Sequence, residues 1–138
     1  MKPIDFVKAL GLAVLVLAAN LLLTVAAVFV YSQLFARGQS PEFYNALALK
    51  IAGWSGPIGG LLLMFGIAWL FGRRRPERNA YAFAATAFVL YALVDTASGL
   101  AMAPAAQLFT PVFFASLSLA GVGGLVGAGQ ANRARRTA

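Results

Sequence analysis

Residues 73–102 read RRRPERNAYAFAATAFVLYALVDTASGLAM: four arginines in six positions, then 23 residues from Ala80 to Met102 carrying one charge, Asp95. A segment of that length matches the ~20 apolar residues that cross a ~30 Å hydrocarbon layer. The same alternation recurs along the chain, with uncharged stretches from about Ala9 to Tyr31, Ile51 to Phe71 and Leu108 to Gly129. Four spans are therefore predicted within a single domain covering residues 1–138. Hydrophobic content of 61% far exceeds the ~45–50% of a soluble domain. Because lipid cannot hydrogen-bond the backbone, spans of this length must be helices. The predicted fold is all-α, an integral membrane four-helix bundle.

Orientation follows from the basic residues. Lys2 and Lys8 precede the first span, Arg73, Arg74, Arg75 and Arg78 follow the second, and Arg133, Arg135 and Arg136 end the chain. Only Arg37 and Lys50 lie on the other side. Positive charge is retained in the cytoplasm, so both termini are predicted there, in a bacterial cytoplasmic (inner) membrane. The first span, with 23 uncharged residues, exceeds the ~7–15-residue core of a cleaved signal and is expected to be kept. The arginine loop can attract anionic lipid headgroups at about 1 kcal/mol per residue. Its topological role suffices to explain it. The polar tail after Gly129 is expected to be disordered. Since the cations flank spans and form no separate face, no nucleic-acid partner is predicted.

Cysteine and histidine are both missing, which excludes disulfides, thiol nucleophiles, Cys/His zinc sites and His-ligated haem. No metal or cofactor is expected. Asp5 and Glu77 belong to the basic side and Glu42 to the opposite loop, with nothing in the sequence to bring them together. Ser55 or Ser98 beside Asp95 would lack the usual histidine base. The chain is not expected to be an enzyme.

Three local patterns carry structural meaning. Ser40-Pro41-Glu42 has the cap, the first-turn proline and the acid of a helix start, so the second helix should begin there. Pro57, four residues after Gly53, removes a backbone donor and predicts a kink with tight packing around it, a helix break lining a site being the sharper reading. Span four holds Gly121, Gly123, Gly124, Gly127 and Gly129. A dinucleotide fingerprint would need glycine at the sixth position from Gly121, where Val126 stands. Close helix packing through Gly123 and Gly127 is the better reading.

Asp95 is the strongest functional candidate. It lies roughly 22 Å from the basic boundary, in the outer third of the membrane. Helical spacing puts Ala84, Ala87, Phe88, Tyr91, Asp95, Ser98 and Met102 on one stripe, which should face the bundle interior because an acid is costly against lipid. Asn20 and Thr24 of span one, Trp54 and Ser55 of span two, and Thr110 and Ser116 of span four fall at compatible depths. An outward-facing polar pocket with Asp95 as its acid is the expectation. The structural reading is that Asp95 bonds Tyr91, Ser98 or a hydroxyl on another helix, or reaches Lys50 near the outer interface.

Two functions are consistent with these residues. The first is a non-catalytic accessory, scaffolding or interaction subunit, partnered by a larger membrane protein or by copies of itself. The second is a small proton-linked transporter or channel that uses Asp95. In size the spans are similar to the small multidrug resistance transporters, but those depend on an acid in the first span, and this first span has none. Pro57 has no counterpart in span four, so the inverted repeats common in transporters are not evident. That favours the first function.

Overall fold

The computed structural model describes residues 3–102 and 104–136. Its elements are α1 (Pro3–Leu34), α2 (Pro41–Arg74), α3 (Ala80–Met102), a single turn α4 (Ala105–Leu108) and α5 (Pro111–Arg136). The four longer helices are each long and apolar enough to cross a membrane. No strand occurs among the described residues.

The helix ends follow local chemistry. Ser40 caps α2, its hydroxyl accepting from the Phe43 N–H at 3.3 Å, with Pro41 in the first turn. The hydrogen bond from Ser40, together with its own N–H, holds the exposed Glu42 carboxyl below the ordinary carboxylate range. Gly38 takes φ +76° in the preceding loop, a left-handed conformation that glycine adopts without a Cβ clash. Tyr44 closes that loop by donating to the Ala36 carbonyl at 2.7 Å and accepting from the Gln39 N–H at 3.3 Å. At the basic end, the Arg75 N–H bonds the Phe71 carbonyl at 3.0 Å as α2 stops, and Asn79 Oδ1 accepts from Ala82 as α3 begins.

Three expectations are corrected. Span four does not start at Leu108, which belongs to α4. Thr110 caps a new helix by accepting from the Phe113 N–H at 3.3 Å, and Pro111 sits in its first turn. The tail is not a disordered strand of arginines, because α5 continues to Arg136. Nor do Gly53 and Pro57 break the second span: α2 is continuous through Pro57. The carbonyl that loses its helical donor is Gly53's, and α1 docks one turn later, where Asn20 bonds the Gly56 carbonyl.

The helices pack as a rhombus. α2 and α5 share the most extensive contact, α1 packs on α2 and α3, α5 also packs on α3, and α2 touches α3. α1 and α5 thus occupy opposite corners. The core is built from small side chains: Ala9, Ala13 and Val16 of α1 meet Met64, Phe83, Ala87, Tyr91 and Ala120. Phe71 and Phe83 stack with centroids 3.5 Å apart.

This core is confined to one half of the bundle. Apart from Ala36 in the first loop, the fully buried residues run from the level of Gly59, Tyr91 and Ala120 to the basic end. Beyond that level the helices leave grooves. One, of about 690 Å³, lies between α1 and α2 and is lined by Leu21, Val25, Phe29 and Leu49 among others. Another, of about 440 Å³, is bordered by Gly53, Gly99, Leu108 and Phe113.

Candidate functional site

α2 and α5 meet at backbone distance. A Cβ on Gly123 would overlap the Leu61 carbonyl, and one on Gly127 would overlap the Phe65 carbonyl. Spacing of four on both helices repeats the contact one turn later. Glycine is required at both positions because the obstacle is main chain and cannot rotate away.

Where this seam ends, a polar layer crosses the bundle. Asn20 Nδ2 donates to the Gly56 carbonyl at 3.3 Å, on the turn that holds Pro57. The hydroxyls of Thr24 and Ser55 lie 2.6 Å apart, and the Thr24 hydroxyl is 3.2 Å from the Asn20 carbonyl. Since a hydroxyl has one proton, Thr24 donates to that carbonyl and accepts from Ser55. Glycine at 59 leaves room for this docking, as a Cβ there would overlap Asn20 Oδ1. The Tyr91 phenol lies against the Asn20 side chain, and Asn20 Oδ1 is buried without a partner among the described residues. Ser116 sits against Gly56 and Gly60 from α5, its own hydroxyl donating to the Val112 carbonyl at 2.9 Å.

Four sequence-selected residues, Asn20, Thr24, Ser55 and Tyr91, are therefore assembled into one layer. Asp95 stands one turn farther out, within electrostatic reach of the Tyr91 phenol. It is half-buried, and among the described residues it makes no hydrogen bond or ion pair. Ser98, also half-buried, follows on the same face. Lys50 lines a separate surface groove with Trp54 and Ile58 and does not pair with Asp95. Trp54 is 74% exposed while its neighbour Ser55 points inward, the ~100° step between adjacent helical residues separating them.

An expected outcome tests the hydroxyl pair. In a double-mutant cycle of Thr24→Val and Ser55→Ala, unfolding in detergent should give a coupling of about 0.6 kcal/mol, as interhelical hydrogen bonds in membranes do. A coupling near zero would mean that the two hydroxyls do not bond.

A second polar contact was not anticipated. Asp5, buried on the first turn of α1, accepts a charged hydrogen bond from the Arg78 guanidinium, and Glu77 lies 3.7 Å from the same arginine. The two bonded residues are 73 apart in sequence. The available signal was that Asp5 stands four residues before Ala9 and eight before Ala13, at the end of the small-residue stripe that α1 buries. Among the arginines, Arg78 has this structural partner, and Arg73 lies 4.9 Å over the Trp69 ring. Arg74 and Arg75 border a groove described below.

No group of three or more potential metal ligands occurs among the described residues. No known protein family, curated protein or solved structure matches the chain.

Proposed function

We propose that this chain is a non-catalytic interaction subunit of a larger membrane assembly, or of a homo-oligomer, whose open half receives a partner segment. Its basic end, with nine of eleven cations, lies in the cytoplasm of a bacterial cell and its helices in the inner membrane. The observation that carries the reading is Asp95, a half-buried acid in the half of the bundle that lacks a core, with no hydrogen-bond donor supplied by the described residues. Polar groups at membrane depth pair with one another or with backbone. A partner that brings a donor to Asp95 and apolar side chains to the adjoining grooves would satisfy both needs.

A second reading, a proton-linked transporter, is favoured by the layer of Asn20, Thr24, Ser55 and Tyr91 beneath Asp95. Against it, the α2–α5 seam beyond that layer is closed at backbone distance, and alternating access would have to part it.

Asp95→Leu separates the two. In detergent the variant should unfold within about 1 kcal/mol of wild type, since no intrachain bond is lost. Its co-purification with a stoichiometric partner, or its self-association, should fall at least tenfold. Proton or solute movement by the wild-type chain alone in liposomes, lost in Asp95→Asn, would overturn the proposal in favour of transport.

A further inference from the structure

At the basic end, α1 and α2 border a groove of about 290 Å³ that no sequence motif announces. Its wall is apolar, formed by Leu12 of α1 and by Ile67, Leu70 and Phe71 of α2. Its rim is cationic, formed by Lys8, Arg74 and Arg75. Helical spacing explains the division. Lys8 and Leu12 stand four apart on α1, and Ile67, Leu70, Phe71 and Arg74 follow the i, i+3, i+4, i+7 pattern on α2, so each helix turns one continuous stripe into the groove. Along both stripes the cation lies toward the helix end, with Arg74 about 10 Å beyond Ile67 and Lys8 about 6 Å beyond Leu12 at 1.5 Å per residue.

We propose that this groove binds one anionic phospholipid, with an acyl chain against the apolar wall and the phosphate against the cationic rim. Charge complementarity selects the occupant. The acids of this end, Asp5 and Glu77, both approach Arg78, and neither lines the groove. Lys8 and Arg74 have no ion pair among the described residues. A ligand that carries negative charge at headgroup depth and hydrocarbon immediately below it meets both surfaces. A soluble anion would leave the apolar wall uncovered, and a zwitterionic lipid would leave the excess positive charge unmatched.

The test uses the full chain, purified in mild detergent, delipidated, and titrated with phosphatidylglycerol or with phosphatidylcholine of the same chain length. Bound lipid is counted by native mass spectrometry. One phosphatidylglycerol should be retained and phosphatidylcholine should not. Lys8→Gln with Arg74→Gln should weaken retention on the order of 20-fold, from a factor of about 5 per surface cation. Leu70→Trp keeps every charge but fills the groove, and should abolish retention even if the charge variant fails to fold. Arg133→Gln, on another groove of the same end, should bind as wild type does. Equal retention of the two lipids, unchanged binding in either groove variant, a comparable loss in Arg133→Gln, or full competition by inorganic phosphate would each overturn the assignment.

Discussion

Gly127→Ala should destabilise the bundle by about 3 kcal/mol, the upper part of the usual range for overpacking. The new methyl would overlap the Phe65 carbonyl, and relief requires α5 to move away from α2 along the most extensive contact in the molecule. Gly123→Ala faces the same obstacle at Leu61. The two changes share one displacement, so their combined cost should be less than additive. Gly66→Ala is the control: nothing lies within 4 Å of a Cβ there, and helix propensity favours alanine by up to about 1 kcal/mol. Unfolding in mixed micelles, followed by circular dichroism, reads all three. A Gly127→Ala chain as stable as wild type would refute the described α2–α5 packing.

The second large effect concerns Arg78. Its side chain is 18% exposed, whereas that of Asp5 is 3% exposed. Removing one member of a buried pair costs about 3–5 kcal/mol because a charge is left in a poor solvent, and the burial here is unequal. Arg78→Ala takes the guanidinium away from the more buried carboxylate and should cost about 3 kcal/mol. Asp5→Ala leaves a guanidinium with some access to water and with Glu77 3.7 Å away, and should cost nearer 1–2 kcal/mol. Arg78→Lys keeps the positive charge but loses the guanidinium fork, and should recover only part of the stability. If Asp5→Ala proves the costlier change, the burial argument is mistaken. The contrast also separates Arg78 from Arg73 and Arg74, whose substitution should perturb orientation and lipid contact more than folding.

Much of the helix layout was legible because it depends on local rules. Ser40 and Pro41 mark a helix start in any context, since the orphan N–H groups of the first turn need an acceptor and proline has no N–H to lose. Thr110-Pro111 carries the same signal, and giving it equal weight would have placed the start of α5 correctly. Pro57 misled in the opposite direction, because the effect of a proline in a helix depends on what surrounds it.

For the candidate site, the sequence identified the polar residues but not their grouping. Asn20, Thr24, Ser55 and Tyr91 were all recognisable as polar groups in apolar spans, yet only packing gathers them into one polar layer that leaves Asp95 outside it. Among the five glycines of span four, the spacing of four singled out Gly123 and Gly127 for close packing, but not what they meet. The structure puts these two on a carbonyl, would bring a Cβ at Gly129 tightly against the Tyr81 hydroxyl at 3.2 Å, and gives Gly121 and Gly124 ordinary neighbours at 3.4 Å or more.

The sequence by itself determined four apolar helices and which of their ends carry positive charge, because a backbone in lipid must bond to itself and a guanidinium must reach water. Those requirements act on each segment separately. Only the tertiary structure decided how each helix is rotated about its axis, and with it the Gly127 contact, the partner of Asp5 and the outward face of Trp54. The physical reason is that lipid is as apolar as leucine, so the hydrophobic effect does not choose which face of these helices turns inward. Close packing and a few hydrogen bonds make that choice, and they exist only once the helices have met.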